Sequence, residues 1–334
     1  MVSIGGPFGR RILLLCMIAH MLSSMCAYAG WSSPATVVQG NWGTNVNEFG
    51  FSKGETVDYF PDTIAVLSDG KVLIRDGVNN VLKIFDSSGA LVKTVNITSD
   101  GFYGLDADRI VSGKFDDQWR TRIGVYSVRD DKWLWVDNST DIGNIADCTV
   151  YVDPTNLDIY IWNNRDKGYR YSASGTLSEV FTSKPLIFGQ EITSQLKADG
   201  NYRTVVKFND ITYDCKTSTP FSTFIRDMRG YLYGIGQIGE EAALHTRVYK
   251  ITKCGKVMAA IDFPPDRRHG NIFSKRLPAY SKEVVDEEYG SPVITPNGEV
   301  YTWKRTPDKY SILRWTWVND PDAPKCPEEK NTSR

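Results

Sequence analysis

The side chains that could act as acids, bases or anion ligands are few in this chain. Past residue 29 the sequence contains only two histidines, His245 and His269, so a catalytic triad or a histidine general base would have to be built from them. His269 follows Arg267 and Arg268 in a polar stretch. Such a run is typical of a solvated loop, and its positive charge makes Arg267, Arg268 and His269 the candidate ligand-binding residues. We predict no catalytic residues.

Oxygen-bearing side chains in two turns are the candidates for metal binding. Asp76 and Asn80 belong to one turn, and Asn164 belongs to a second. Hard cations such as Ca²⁺ take carboxylate and amide oxygens, but Asn and Asp are also favoured in turns because they accept left-handed backbone angles. The turn interpretation is favoured, so no cofactor is predicted and Ca²⁺ is the alternative. Zinc is disfavoured because no CxxC or CxxH pair occurs.

Two pairs of tryptophans have the spacing of a strand. Trp133 and Trp135, like Trp315 and Trp317, are two residues apart, which in a regular strand places both rings on one face. Exposed rings could stack on sugars or on a partner, whereas buried rings would fill the space between packed sheets. Burial is favoured because a tryptophan removes a large area from water.

The first 29 residues have the features of a signal peptide. Arg10 and Arg11 precede an apolar stretch, and Ala27-Tyr28-Ala29 forms a small-x-small cleavage site before Gly30. This predicts an exported protein, periplasmic or secreted. No later segment approaches the ~18 apolar residues of a membrane span. Without the two leader arginines, 37 of the 39 basic residues remain against 40 acidic ones, a balance that disfavours nucleic-acid binding.

The cysteines are expected to pair. Cys16 and Cys26 lie in the leader, and an oxidising compartment favours disulfides between the rest. We therefore predict two disulfides, for which the spacing selects none of the possible pairings. The remaining cysteines are Cys148, Cys215, Cys254 and Cys326.

A strand-turn-strand pattern recurs along most of the chain. Its clearest copy has short apolar runs separated by turns that contain Asp69-Gly70 and Gly89. Each run is too short for a helix, and the turn residues predict successive antiparallel strands. The apolar runs of this copy are residues 64–66, 72–74, 82–85 and 91–92. Similar copies, some degenerate, follow at residues 105–135, 148–177, 187–215, 222–257 and 291–315.

The first, third and fifth copies resemble the NHL and related six-bladed propeller repeats, in which an apolar strand, Asp-Gly, an aliphatic strand and a later Gly follow one another. Repeats of about 45 to 50 residues suit four-stranded blades, and a closed ring protects strand edges. We predict an all-β propeller of about six four-stranded antiparallel blades. Ala35-Thr36-Val37-Val38 is expected to pair into the last blade and close the ring.

These features define the expected organisation and function. We predict a leader over 1–29, a propeller domain over 30–319 and an extended tail over 320–334. The expected function is non-catalytic binding of a protein or another envelope or extracellular ligand through loops on one face of the disc. The resemblance covers binding proteins and enzymes, so a metal-dependent hydrolase or lactonase with oxygen ligands in the central funnel is an alternative, and glycan binding is another. The oligomeric state is left open.

Overall fold

Short β-strands form almost all the regular structure in the computed structural model of the chain. It describes residues 30–54, 58–96, 101–116, 118, 120–140, 142–143, 145–238, 245–263 and 288–318. The strands group into six antiparallel sheets that follow one another along the chain, and into one two-stranded ribbon. The chain is therefore a six-bladed β-propeller, as the repeats predict.

The first three blades each contain four strands in sequence order. Blade 1 consists of β3 (Thr63–Val66), β4 (Val72–Asp76), β5 (Val81–Phe85) and β6 (Leu91–Val95). Blade 2 consists of β7 (Phe102–Gly104), β8 (Arg109–Phe115), β9 (Thr121–Ser127) and β10 (Lys132–Val136). Blade 3 consists of β11 (Thr149–Val152), β12 (Ile159–Trp162), β13 (Gly168–Tyr171) and β14 (Leu177–Phe181).

The last three blades differ from one another. Blade 4 has three strands, namely β15 (Gln190–Leu196), β16 (Tyr202–Lys207) and β17 (Thr212–Thr217). Blade 5 has β18 (Thr223–Arg226), β19 (Leu232–Ile238), β20 (His245–Ile251) and β21 (Val257–Asp262). Blade 6 has β22 (Glu288–Tyr289), β23 (Val293–Ile294), β24 (Val300–Arg305), β25 (Lys309–Trp315) and, from the start of the domain, β2 (Ala35–Asn41).

Strand β2 closes the ring as predicted. It pairs antiparallel with β25 from Ala35 opposite Arg314 to Asn41 opposite Lys309. Val38 is 2% exposed and lies in the apolar core between blade 6 and blade 1. The two ends of the described chain also meet in a ribbon, the clasp, formed by β1 (Gly30–Trp31) and β26 (Trp317–Val318).

Buried apolar clusters join five neighbouring pairs of blades. Separate clusters lie between blades 6 and 1, 1 and 2, 2 and 3, 4 and 5, and 5 and 6. Within the described residues no such cluster joins blade 3 to blade 4. Both faces of a typical blade are therefore covered by apolar clusters, whereas the faces of blades 3 and 4 that point toward each other are not.

The turn glycines allow close contact between blades. Gly89, before the last strand of blade 1, has a φ of 87°, and a Cβ there would lie 1.7 Å from the Val37 carbonyl oxygen of β2. No L side chain fits this position, so glycine is required both for its left-handed backbone and for the approach of blade 1 to blade 6. No helix within the described residues has the length and hydropathy of a membrane span.

Candidate functional site

The structure places the candidate metal ligand Asp76 in a buried ion pair. Its carboxylate lies 2.9 Å from the Lys83 Nζ, and both side chains are almost fully buried. The same carboxylate accepts hydrogen bonds from the backbone N–H of Gly50 at 3.0 and 3.1 Å and from the Asn79 Nδ2 at 2.9 Å. Lys83 also donates to the Glu48 carbonyl. An ammonium group thus occupies the position where a cation would neutralise Asp76.

The other two metal candidates serve turns in different blades. Asn80 has a φ of 54° in the β4–β5 turn, and Asn164 has a φ of 55° in the β12–β13 turn. The Asn164 side chain accepts a hydrogen bond from Thr149 at 2.8 Å and donates one to the Asp147 carbonyl at 2.6 Å. Among the described residues no group of three or more His, Cys, Asp and Glu side chains could hold a metal. Arg267, Arg268 and His269 lie outside the described residues.

The cysteines correct one prediction. Cys148 and Cys215 are buried thiols outside any disulfide. Cys148 lies in the core between blades 2 and 3, and Cys215 lies in the core between blades 4 and 5. The prediction of two disulfides among these four cysteines is therefore wrong. Cys254 is disulfide-bonded, and Cys326 lies outside the described residues. The apolar cores explain the difference, because a buried cysteine packs there as a small hydrophobic side chain.

We expect Cys148 and Cys215 to resist alkylation in the folded protein. Burial raises the pKa of Cys148 to about 11 and that of Cys215 to about 12, so little reactive thiolate exists at neutral pH. Mass spectrometry after iodoacetamide treatment should find both unmodified in buffer and both modified in urea without reductant. Cys254 should react only after reduction. Recovery of Cys148 or Cys215 in a disulfide-linked peptide would contradict this assignment.

The tryptophan pairs pack between blades, but Trp133 and Trp135 do not share a face. A β-bulge separates them on β10, and the extra residue reverses the alternation of side chains. Trp133 meets the Tyr126 ring edge-on at 5.5 Å in the core between blades 1 and 2. Trp135 stacks on Tyr171 at 5.7 Å in the core between blades 2 and 3. The expectation of a shared face is therefore wrong for this pair.

The second tryptophan pair holds the clasp on the ring. Trp315 is buried against Phe263, with ring centres 5.1 Å apart. Trp317 contacts Trp31 edge-on at 5.2 Å, and the buried Lys250 Nζ lies 4.1 Å from the Trp317 ring centre and 4.3 Å from that of Tyr231. A cation between aromatic faces is attracted to both, so Lys250 connects blade 5 to the clasp. These rings serve packing rather than an open binding surface.

A cavity of about 350 Å³ lies between blades 1 and 2 and is lined mainly by charged side chains. Asp106 pairs with Arg109 at 2.6 Å. Asp108 pairs with Arg129 at 3.3 Å and with Lys71 at 3.6 Å. The opposite charges satisfy one another, so this cavity does not select a ligand by charge.

The junction between blades 3 and 4, which we call the seam, is built differently from the other junctions. Its first wall is the face of blade 3 opposite the core shared with blade 2. The register places Tyr151, Tyr160, Arg170 and Glu179 in one row across the sheet. Tyr160 stacks nearly parallel to Phe181, with ring centres 6.3 Å apart and 12° between planes. These three rings are only partly buried, whereas Trp162, on the same face of β12, is 7% exposed.

The second wall of the seam is the polar face of blade 4. Val206, Tyr213 and Cys215 point into the core with blade 5, so the alternate residues of β16 and β17 face blade 3. These residues are largely exposed and form ion pairs such as Arg203 with Asp214, where Nε and Oδ1 are 2.8 Å apart. An aromatic wall thus faces a charged one, and among the described residues no apolar cluster like those of the other junctions forms between them.

Blade 4 lacks the first strand of a complete blade. In blades 1 and 3, the glycine turn before the last strand presses on the last strand of the preceding blade, as Gly175 does on Trp135 of β10. The equivalent glycine of blade 5, Gly255, would place a Cβ 1.9 Å from the Asp214 carbonyl oxygen of β17. Strand β17 is therefore the last strand of blade 4, and the absent strand is the first.

A short 3-10 turn, Leu186–Phe188, precedes β15 in place of that strand. It contacts β11 of blade 3, and Gly189 after it lies against the rings of Phe208 and Phe224. Strand β15 consequently has a neighbour on one edge only. Its side chains are exposed from Glu191 to Leu196, on both faces of the strand.

Beside the seam, charged residues join blade 4 to blade 5. Arg226 of β18 pairs with Asp210 of the β16–β17 turn, and the Arg226 guanidinium lies 5.2 Å from the Phe208 ring centre. Burial raises the pKa of Tyr151, and both charges of this pair lie near enough to influence it. Tyr151 of blade 3 thus lies beside an ion pair that joins blades 4 and 5.

Two lysines lie at the start of β15. Gln190 donates to the Lys184 carbonyl at 2.6 Å, and Lys207 lies opposite Gln190 in the strand register. Burial lowers the pKa of Lys184. Neither lysine forms an ion pair within the described part of the chain. The start of β15 therefore has two lysines that are not held in ion pairs with described carboxylates.

The seam is not evident from the sequence alone. Strand β15 has the sequence QEITSQL, in which exposure on both faces removes the apolar alternation that marks a strand. The degenerate fourth repeat was the available signal, but without the strand register it did not locate a surface.

Comparisons with known proteins give similarity in architecture. No family model matches the sequence, and no curated protein does. Among solved structures, streptogramin B lyase is similar with a TM-score of 0.40 and 13% identity, covering 77% of this chain and 93% of that one. A protein of a domain family of unknown function from Bacteroides vulgatus is similar with a TM-score of 0.46 and 10% identity, covering 87% of this chain and 100% of that one. BamB from Moraxella catarrhalis is similar with a TM-score of 0.36 and 8% identity, covering 87% of this chain and 99% of that one.

Proposed function

We propose that this propeller is an exported, non-catalytic binding protein whose partner is a protein of the envelope or exterior. The observation that carries this proposal is the unsealed seam between blades 3 and 4. Five junctions are filled by apolar clusters, whereas the seam combines partly buried aromatic rings with exposed polar residues and an open strand edge. Aromatic rings beside polar groups are typical of surfaces that bind proteins.

The seam modifies the expected mode of binding. The sequence predicts contact through loops on one face of the disc, and the structure offers a surface between two blades as well. A rigid ring suits this role because the blades that flank the seam are fixed by their other neighbours, so the walls are held in place before a partner arrives. Preorganised walls reduce the ordering cost of association.

We expect a photo-cross-linking amino acid at Thr193 to capture a discrete partner. Thr193 is exposed on β15 and lies opposite Val205, on the seam side of blade 4. The variant should be expressed in the native host, and the exported fraction, with its N-terminus at Gly30, should be irradiated. One adduct should form and should disappear when excess unmodified protein competes.

The matched control places the same amino acid at Lys132, an exposed position on the last strand of blade 2. Equal adducts at both positions, or none at Thr193, would contradict binding at the seam. Glycan binding is a separate outcome. It would appear as a change in tyrosine fluorescence with a soluble glycan, lost in Tyr160→Ala, without any protein adduct.

A further inference from the structure

We propose that the open edge of β15 binds an extended, acidic peptide segment of the partner, which pairs with β15 and completes blade 4 as its missing strand. This inference rests on the proposed function and specifies the chemistry of the partner at the same surface. A peptide that adds a strand to an exposed sheet edge gains affinity from main-chain hydrogen bonds and specificity from its alternate side chains.

The backbone of β15 provides the first requirement. The strand pairs with β16 from Gln190 opposite Lys207 to Leu196 opposite Tyr202, and no strand of the described chain pairs with its other edge. About half the N–H and C=O groups of such an edge strand point away from the sheet, where they are available to a further strand. Blades 1, 2, 3 and 5 have a fourth strand where blade 4 has none.

The side chains of β15 provide the second requirement. Ile192 is 53% exposed and Leu196 is 57% exposed, an unusual state for two aliphatic residues on one seven-residue strand. A paired strand would bring its side chains to ~5 Å from those of β15 and would cover part of this apolar surface. Covering such side chains is favourable by roughly 25 cal/mol for each Å² removed from water.

The charge of the seam selects an acidic peptide. Lys207 lies opposite Gln190, the first residue of β15, and the backbone of Lys184 contacts the Gln190 side chain; neither lysine has an ion pair among the described residues. The other cations of the two walls are already paired, Arg170 with Asp158 at 2.6 Å and Arg203 with Asp214. Glu191 is the one acidic side chain on β15 itself. A carboxylate on the incoming strand near Gln190 would therefore lie close to Lys207 and to the segment that carries Lys184.

The aromatic wall provides a place for apolar side chains of the same peptide. In an extended segment alternate residues point to opposite sides, so those facing blade 3 would lie opposite its first strand, where Tyr151 packs against Tyr160 with ring centres 6.1 Å apart. Residues on the other side would lie over blade 5. The expected ligand is thus an extended segment in which β-branched or aromatic residues alternate with residues that include Glu or Asp.

The test uses the full chain and a synthetic peptide as long as β15, in which valine and threonine alternate with glutamate. Hydrogen exchange measured by mass spectrometry should show protection of the β15 amides when the peptide is added. A peptide with lysine in place of glutamate should bind at least about 10-fold more weakly, since the two lysines of the seam would repel it. Fluorescence anisotropy of labelled peptides gives the affinities.

Two variants and their controls locate the site. Ile192→Ser/Leu196→Ser removes the exposed apolar surface of the edge strand without changing its charge and should reduce binding of the acidic peptide by about 10-fold. The matched control is Val180→Ser, at a valine that is also 53% exposed on the edge strand of blade 3. Lys184→Glu/Lys207→Glu should weaken binding and reverse the preference between the two peptides, whereas Lys132→Glu should change neither.

The outcomes distinguish this inference from the proposed function. If no β15 amide gains protection, or if the glutamate and lysine peptides bind equally to the full chain, strand addition by an acidic segment is overturned. A Thr193 cross-link obtained in the same circumstances would leave the proposed function intact. Equal peptide binding by the unmodified chain and by Ile192→Ser/Leu196→Ser would place the peptide elsewhere and overturn the inference as well.

Discussion

Replacing Lys83 with methionine is expected to lower the free energy of unfolding by about 3–5 kcal/mol. The substitution leaves the Asp76 carboxylate, 0% exposed, without the ammonium group that lies 2.9 Å away in the native protein. The volume of the side chain is nearly kept, so the loss reflects an uncompensated buried charge rather than a cavity. Urea unfolding followed by circular dichroism measures the difference.

The double variant Asp76→Asn/Lys83→Met provides the control for this explanation. It removes both charges, and we expect it to recover much of the lost stability, because replacing both partners of a buried pair costs less than removing one. Lys132→Met, at an exposed lysine, should change stability by less than about 0.5 kcal/mol. A single variant as stable as the unmodified protein would show that the ion pair is not required.

The same measurement addresses the alternative of a calcium site at Asp76. If the Lys83 ammonium neutralises the carboxylate, exhaustive chelation should leave the unfolding curve of the unmodified protein unchanged. If a cation shares the site, chelation should lower the melting temperature, since a ligand that binds only the native state stabilises it. The buried pair thus separates a structural role for Asp76 from the role in metal binding that its position in a turn indicated.

The sequence was sufficient for the repeated parts of the fold. The Asp69-Gly70 turn, the flanking apolar runs and Ala35-Thr36-Val37-Val38 predicted the strands of blade 1 and the closure by β2, because local turn chemistry and apolar alternation determine these features. Both outcomes are confirmed by the strand register. The number of blades is confirmed as well.

The structure differs from the sequence-based expectations where long-range contacts override the local apolar pattern. Lys83 lies in the apolar run Leu82-Lys83-Ile84-Phe85, where alternation would place a lysine in solvent, but both faces of blade 1 are covered by neighbouring blades. Its burial therefore depends on Asp76, on the preceding strand. The bulge in β10 is a similar case, because one additional residue moves Trp135 to the other face of the strand. No residue type in this part of the sequence indicates the bulge.

The seam could not be predicted for a related reason. A sequence pattern shows which residues are buried, and β15 is defined by exposed ones. Only the register of blade 3, which aligns Tyr151, Tyr160 and Arg170, and the contact of Gly255 with β17 reveal that a strand is absent and which one it is. The seam results from a strand that is missing from an otherwise regular ring. A missing strand can be recognised only when the positions of the other strands are known.

Removing β2 is expected to open the ring and abolish the single cooperative unfolding transition. A chain that begins after Asn41 loses the antiparallel pairing with β25 and the Val38 side chain from the core between blades 6 and 1. Each backbone hydrogen bond contributes about 0.5–1.5 kcal/mol net, so the ladder alone accounts for a large part of the ~5–15 kcal/mol of a typical domain. Calorimetry should show a broad transition at lower temperature.

Because such a truncated chain could fail to fold for trivial reasons, point variants and rescue test the same closure. Val38→Asp buries an unpaired charge and should destabilise the protein by several kcal/mol, whereas Thr36→Asp, exposed on the same strand, should be nearly neutral. A synthetic peptide of residues 35–41 added to the truncated chain should restore part of the lost melting temperature. If truncation leaves the transition cooperative and unshifted, β2 does not close the ring. Since the seam already lacks an apolar seal, this closure is the feature that keeps blades 6 and 1 together and thereby holds the walls of the seam at a fixed separation.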